Sequence, residues 1–287
     1  MKSRLAALAL LSVTALWGST FILIKDINDR LPVADFLGVR FAIAAAALFL
    51  VAPRAISRLS PEVRRRSVYA GLVYAFAQIM QTAGLSHTTA SVSGFVTGMY
   101  VVATPLLAAA ILRQRIPPLV WVAVTLSTVG LGFLSLRGFH IGYGEAITLA
   151  GAMLYAVHIV ALSRWSSPGD AMAMATIQTA TIAIVCLAIA APGGVELAHN
   201  GRDWVAVVYM ALGAGALAMF AQTWAQGQLS AARAALLMTM EPVFAAGFAV
   251  IFGDEYLGMR VLIGGTLILA AMILAESSEA PKILEIE

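Results

Sequence analysis

The chain has 287 residues, of which 61% are hydrophobic and only 11% charged, and its mean hydropathy is +0.89. These values exclude a soluble globular domain and place the chain in the membrane class. The one cysteine, Cys186, excludes an internal disulfide and a cysteine cluster for zinc or iron–sulfur. A formal net charge of +3 does not indicate nucleic-acid binding, because the basic residues are scattered among short loops without interleaved aromatic residues.

Ten apolar segments have about the length of 20 residues that a helix needs to cross a membrane. They are residues 3–25, 35–52, 67–86, 91–112, 118–136, 145–163, 171–191, 203–223, 232–252 and 257–275. Lys2 and Arg4 precede the apolar run of the first segment and resemble the start of a signal peptide. No convincing cleavage site follows, so we keep this segment as the first helix.

The distribution of lysine and arginine predicts the orientation in the membrane. With the N-terminus in the cytoplasm, twelve of these residues fall on the cytoplasmic side and five outside, and the cluster Arg64-Arg65-Arg66 contributes most to the difference. Cytoplasmic loops carry an excess of positive charge. The pattern therefore predicts that both termini are cytoplasmic, which agrees with an even number of helices.

Prolines interrupt the fourth and ninth predicted helices, at Thr104-Pro105 and at Glu241-Pro242, 137 positions later. A proline orphans the backbone carbonyl one helical turn before it, and lipid offers no donor for that carbonyl. The orphaned carbonyl then needs a donor from a neighbouring helix or from trapped water. We therefore expect Glu241 to face the protein interior.

The same shift relates other parts of the chain. Residues 15–25 align with residues 152–162 at 137 positions, and Pro53 matches Pro192 at 139. Each half holds five predicted helices, so the second half must cross the membrane in the opposite sense. We predict an all-α integral membrane protein of ten transmembrane helices in two inverted repeats, 1–140 and 141–287, which form one transport domain with a site near the midplane. Chance similarity among apolar segments is the alternative.

Short motifs follow one another in a fixed order along the chain, four in the first half and three in the second. They are Leu16-Trp17-Gly18-Ser19, Gly38-Val39-Arg40-Phe41, GLSHTTASVSGFVTG from Gly84, Thr104-Pro105, Glu241-Pro242, Gly253-Asp254-Glu255 and Gly264-Gly265. In order and spacing the sequence resembles the EamA family of the drug/metabolite transporter superfamily, over nearly its whole length. One departure is that the first half has Arg113-Gln114-Arg115 where the second has Gly253-Asp254-Glu255, so any acid-dependent role of that loop is not doubled.

Within the family the chain looks most like bacterial exporters of amino acids, including the YddG-type aromatic amino-acid exporters. The resemblance implies a multi-pass protein of the bacterial inner membrane that moves a small molecule, an amino acid or related metabolite, across the lipid bilayer. It implies no cofactor, no metal and no nucleic-acid partner. A monomer suffices for this activity, and the oligomeric state stays open.

Five residues are candidates for coupling or gating: Glu241, Pro242, Thr104, Pro105 and Arg40. A carboxyl in the low-dielectric interior can bind and release protons near neutral pH, whereas the simpler interpretation of Glu241 is that it bridges helices around Pro242. Arg40 lies about five residues from the outer end of helix two. Its side chain can snorkel to the interface as an anchor or contact a substrate carboxylate.

Nine residues are candidates for substrate binding: Trp17, Tyr74, Gln78, Gln81, Met99, Tyr100, Tyr155, His158 and Gln222. The three glutamines can bond a ligand's amino or carboxyl group without the desolvation cost of full charge, although bonds between helices explain them equally. Aromatic rings in mid-helix suit a cavity for flat or apolar side chains, and ordinary packing is the alternative.

Transport is favoured over enzymatic activity. The sequence contains no Asp-Asp pair, no His-Glu-x-x-His and no Gly-x-Ser-x-Gly, and its loops are too short for a separate catalytic face. Midplane prolines in inverted halves suit alternating access better than a channel or scaffold. We predict an exporter of aromatic or large neutral amino acids, with another small metabolite or drug as the alternative. The choice between proton antiport and facilitated diffusion stays open.

Overall fold

The computed structural model describes residues 2–112, 118–137, 140–229, 234 and 237–277, and in these residues ten helices follow one another at the predicted positions. They are α1 (Lys2–Asn28), α2 (Val33–Val51), α3 (Pro61–Leu85), α4 (Ala90–Thr97 and Tyr100–Leu112), α5 (Pro118–Ser135), α6 (Tyr143–Trp165), α7 (Ala171–Ala190), α8 (Gly201–Gln226), α9 (Met240–Phe252) and α10 (Met259–Ser277). Two short 3₁₀ turns, Ile56–Arg58 and Ala191–Gly193, follow α2 and α7. A two-residue hairpin of β1 (Leu136–Arg137) and β2 (His140–Ile141) links α5 to α6.

Among the described residues, six helices are long and apolar enough to cross a membrane by length and composition, namely α1, α2, α4, α6, α7 and α8. Shorter apolar stretches, Trp121–Phe133, Met240–Phe252 and Met259–Leu274, make up most of α5, α9 and α10. The remaining helix, α3, starts with a basic cluster and carries Gln78 and Gln81. It begins at Pro61, six residues before the predicted start, because the Ser60 hydroxyl accepts a hydrogen bond from the Val63 amide at 3.3 Å.

Helix packing is reciprocal between the two halves. Helix α1 packs on α9 as α6 packs on α4, α3 packs on α7 as α8 packs on α2, and α3 packs on α6 as α8 packs on α1. The pairs α2 with α7 and α5 with α10 complete the arrangement. Exchange of the two five-helix halves thus reproduces these pairs of packed helices. This confirms the predicted fold of two inverted five-helix repeats.

Glycines allow the closest of these contacts. A Cβ atom at Gly94 would lie 2.7 Å from Ala245 Cβ, and one at Gly18 would lie 2.5 Å from Phe244 Cβ. Both distances are shorter than real Cβ contacts, so α4 and α1 could not pack as they do on α9 with larger residues. Gly94 thus lets α4 and α9 approach closely.

Two helices depart from the predicted regular form. Helix α4 is interrupted at Gly98 and Met99 and not at Pro105, which lies inside its second segment. The break lies against α9, since a Cβ atom at Gly98 would lie 2.7 Å from Pro242 Cγ. Helix α8 has a π-helical segment, Met210–Leu217, between its α-helical ends. Such segments shift backbone carbonyls out of the regular ladder and are frequent at functional sites.

The loop between α9 and α10 caps the first segment of α4. The Glu255 carboxylate accepts hydrogen bonds from the Ala90 amide at 2.7 Å, the Ser91 amide at 3.1 Å and the Ser91 hydroxyl at 2.8 Å. Helix N-termini leave amide donors unsatisfied and attract negative charge. The acidic residue that the first half lacks is therefore a tether between the two halves.

Candidate functional site

One cavity lies between the two halves, and α1, α2, α3, α4, α6, α8 and α9 all contribute to its wall. Each lining residue is exposed by 9% or less, so the wall is shielded from bulk solvent. The arrangement suits a small molecule that is held inside the bundle.

Ten of the fourteen candidate residues line this cavity: Trp17, Arg40, Tyr74, Gln78, Gln81, Tyr100, Tyr155, His158, Gln222 and Glu241. Met99, Thr104, Pro105 and Pro242 are not among the lining residues. Met99 belongs to the break in α4, and the Thr104 hydroxyl donates to the Tyr100 carbonyl of its own helix at 2.7 Å. The functional roles of all fourteen stay predictions.

The aromatic residues form a connected row. Tyr74 makes edge-to-face contacts with Phe41, Tyr155 and His158 at ring-centroid distances of 6.3, 5.2 and 4.9 Å. Tyr155 makes a further contact with Tyr100 at 6.4 Å. Because these rings belong to α2, α3, α4 and α6, the row joins the two halves across the cavity.

The amides of Gln78 and Gln81 are engaged within the protein. Tyr155 donates from its hydroxyl to Gln78 Oε1 at 3.0 Å and to Gln81 Oε1 at 2.9 Å. Gln81 Nε2 donates to the Thr97 hydroxyl at 3.0 Å, and Gln78 Nε2 donates to the Thr82 hydroxyl at 3.3 Å. These bonds link α3 with α4 and α6, as the interpretation of interhelical bonding expects.

His158 and Gln222 each keep one buried polar atom without a hydrogen-bond partner, Nδ1 of the histidine and Oε1 of the glutamine. The other ring nitrogen of His158 lies 2.8 Å from Gln178 Oε1. Gln178 in turn reaches the Thr223 hydroxyl at 3.4 Å. The histidine is thus positioned by α7 and α8 and has one nitrogen available.

Glu241 lies in the first turn of α9, where it meets Tyr100. The Tyr100 hydroxyl is 2.8 Å from Glu241 Oε2 and 3.2 Å from the Met238 carbonyl. The Met238 carbonyl is the group that Pro242 deprives of an amide donor, because a proline four residues later has no N–H. A tyrosine of the other half therefore supplies the donor that the sequence predicted as necessary.

Arg40 does not snorkel, contrary to one of the two expectations. Its side chain is 2% exposed and lies on the cavity wall, with Nε donating to the Met210 carbonyl at 3.4 Å. Helix α2 packs against the π segment of α8, and the Arg40 guanidinium lies buried beside this contact. The Trp17 indole likewise donates to a carbonyl of this segment, that of Ala214, at 3.0 Å.

Sequence reasoning did not select eight further lining residues. They are Thr20, Phe21, Ile24, Thr82, Leu85, Thr97, Ile159 and Met238. Helical spacing could have found some of them, since Thr20 and Phe21 follow Trp17 at positions three and four along the same face. Thr97 became identifiable only through its bond to Gln81 across two helices.

The described lining of this site contains no cysteine and no cluster that could hold a metal ion. In residues 2–112, 118–137, 140–229, 234 and 237–277, no group of three or more His, Cys, Asp or Glu side chains could hold a metal ion. Cys186, in the same residues, is fully buried on α7 and away from the cavity wall. The cavity wall can therefore bind a ligand through shape complementarity, aromatic rings and a few polar atoms.

Comparison with known proteins matches the whole chain. The model of the EamA-like transporter family matches residues 4–136 and again residues 142–276. The chain is 29% identical over 275 residues to a protein of Archaeoglobus fulgidus named "Uncharacterized transporter", with 96% of this chain and 86% of that protein covered. A solved crystal structure superposes with a TM-score of 0.71 over 95% of this chain and 96% of its own, at 18% identity, which supports the fold alone. The two successive matches and the ten-helix bundle together establish that this chain belongs to the EamA-like transporter family, within the drug/metabolite transporter superfamily, and is a membrane transporter rather than an enzyme.

Proposed function

We propose that this protein exports aromatic or large neutral amino acids from the bacterial cytoplasm by alternating access through the cavity between its halves. The observation that carries the proposal is the composition of the cavity wall. It combines a row of aromatic rings with one guanidinium, one carboxyl and several amides and hydroxyls. A zwitterion with a flat or apolar side chain matches such a wall.

The aromatic row would hold the side chain of the substrate. Tyr74, Tyr155 and Trp17 offer ring faces and edges, and each favourable ring pair adds on the order of 1 kcal/mol beyond burial. Phosphorylated sugars and nucleotide sugars would need several lysines or arginines around their phosphates. Among the described residues of the wall, Arg40 is the one such residue, which argues against those substrates.

The proposed membrane orientation rests on charge. The excess of lysine and arginine on one side favours cytoplasmic termini in the bacterial inner membrane. No ATP-binding loop occurs in the sequence, so movement must follow a substrate gradient or be coupled to an ion. The monomer contains the whole cavity and suffices for transport.

Counterflow in proteoliposomes tests the proposal. We expect labelled phenylalanine, tryptophan and methionine to move at saturable rates without chemical change, and glucose 6-phosphate not to move. Failure of all the amino acids, with movement of another metabolite or drug, would establish the alternative substrate class.

Two variants test the pocket separately from the substrate. Tyr155→Ala removes a ring from the cavity wall. It should lower the apparent affinity for aromatic amino acids about fivefold or more, compared with its effect on the affinity for the substrate alanine. Tyr256→Ala, at a fully exposed tyrosine outside the cavity, is the matched control. Equal selectivity of both variants and the parent would remove the aromatic row from the proposed binding site.

A further inference from the structure

Only three polar atoms of the cavity wall are buried and without a hydrogen-bond partner in the described residues. They are Arg40 Nη1, His158 Nδ1 and Gln222 Oε1. The amide groups of Gln78 and Gln81, by contrast, form hydrogen bonds with Tyr155 and with threonines of α3 and α4. An unpaired buried donor or acceptor costs more free energy than a hydrogen bond contributes. These three atoms are therefore where a ligand gains most by binding.

Arg40 is the most costly of the three. A guanidinium stays charged in proteins and carries five donors. The Arg40 side chain is only 2% exposed, and no aspartate or glutamate of the described residues forms a salt bridge with it. Its contacts are the long bond to the Met210 carbonyl and the rings of Phe36 and Phe41, whose centroids lie 5.9 and 5.1 Å from Cζ. A buried charge without a counterion is strongly unfavourable.

We propose that Arg40 binds the carboxylate of the transported molecule, which then serves as the counterion of its guanidinium. The proposal rests on the proposed function, because it assigns one end of an amino-acid substrate. A carboxylate matches the planar fork of a guanidinium and forms two parallel hydrogen bonds with it. The ligand thereby supplies the negative charge that no described side chain places next to Arg40.

Thermal stabilisation of the detergent-purified protein tests this assignment with matched ligands. The pairs are phenylalanine with phenylalaninamide and 3-phenylpropionate with 3-phenylpropionamide, which differ in the carboxylate alone. We expect the parent to bind each carboxylate at least about tenfold more tightly than its amide, the effect of one charge-assisted pair. No difference between the members of either pair in the parent protein would overturn the proposal.

Two substitutions locate the effect. Arg40→Met should abolish the preference for carboxylate over amide, whereas Arg58→Met, at an exposed arginine outside the cavity, should keep it. Arg40→Met should also leave the melting temperature of the ligand-free protein equal or higher, because it removes an unpaired buried charge. If the preference survives in Arg40→Met, the proposal is wrong. If Arg40→Met does not fold, the same comparison is made with Arg40→Lys, which must lower the preference but need not abolish it.

The outcomes separate this inference from the proposed function. If phenylalanine does not move in proteoliposomes but 3-phenylpropionate still stabilises the parent more than its amide, and Arg40→Met removes that difference, amino-acid export is wrong and the carboxylate site stands. If phenylalanine moves, but Arg40→Met weakens the binding of phenylalanine and of phenylalaninamide by the same factor, amino-acid export stands and the carboxylate site is wrong.

Discussion

The bond between Tyr100 and the Met238 carbonyl leads to a quantitative prediction for Tyr100→Phe. The hydroxyl lies 3.2 Å from that carbonyl and 2.8 Å from Glu241 Oε2, and all three residues are buried. Its loss leaves an unsatisfied buried carbonyl, which costs about 1–3 kcal/mol. At about 2–4 °C per kcal/mol for chains of 150–250 residues, the apparent melting temperature should fall by roughly 2–12 °C.

A double-mutant cycle tells whether Pro242 is the reason for this bond. Pro242→Ala restores a backbone N–H that can donate to Met238 one turn earlier in the helix. The cost of Tyr100→Phe should then shrink by about 1 kcal/mol in the Pro242→Ala background. Tyr155→Phe is the matched control, because the Tyr155 hydroxyl bonds to Gln78 and Gln81 and not to Met238.

Unfolding of the detergent-purified variants, followed by tryptophan fluorescence, measures all four corners of the cycle. We expect the effects of Pro242→Ala and Tyr100→Phe on the free energy of unfolding to be coupled, and those of Pro242→Ala and Tyr155→Phe to be additive. Additive losses for Tyr100→Phe and Pro242→Ala would refute the reasoning, since the orphaned carbonyl would then have another donor.

Three further predictions concern coupling, tethering and topology. Glu241→Gln should keep the fold and part of the transport activity but flatten the pH dependence of transport, whereas identical pH profiles would make Glu241 a structural residue. Glu255→Ala should lower the apparent melting temperature by roughly 2–6 °C through loss of charge-assisted bonds to the N-terminus of α4, and Asp254→Asn, which removes the same charge without those bonds, should have a smaller effect. In intact cells an impermeant thiol reagent should label a cysteine placed at Arg202 and not one placed at Arg58, and the reverse pattern would overturn the predicted orientation.

The helices were predictable because each needs only a run of apolar residues as long as the membrane is thick. The interruptions were not, since their causes lie in the other half of the chain. Helix α4 breaks at Gly98, where the backbone meets Pro242 of α9, and not at its own Pro105. The π segment of α8 coincides with the bonds that Trp17 and Arg40 make to its carbonyls. Neither partner is near in sequence, so no local pattern indicates the contact.

The cavity was predictable in its residue types but not in their pairing. Hydropathy marks Gln78, Gln81 and Gln222 alike as polar residues in apolar helices. The structure separates them, because the first two bond to Tyr155 while Oε1 of the third has no partner. Arg40 was ambiguous for a related reason. Its distance from the end of α2 permits snorkelling, and only the structure shows that the guanidinium lies buried beside the contact of α2 with α8.

The inverted halves share their packing but not their chemistry, and this difference constrains any coupling to protons. Thr104 and Glu241 correspond at the 137-residue shift, yet Thr104 bonds to its own helix while Glu241 lines the cavity. Glu241 is the one carboxyl among the lining residues. A repeat with an acid in both halves could bind a proton on each side of the pseudo-symmetry axis. Within the described part of the chain, a single carboxyl would have to serve both access states of the proposed alternating-access cycle, so any proton coupling that the pH profile of Glu241→Gln reveals is expected to depend on Glu241 alone.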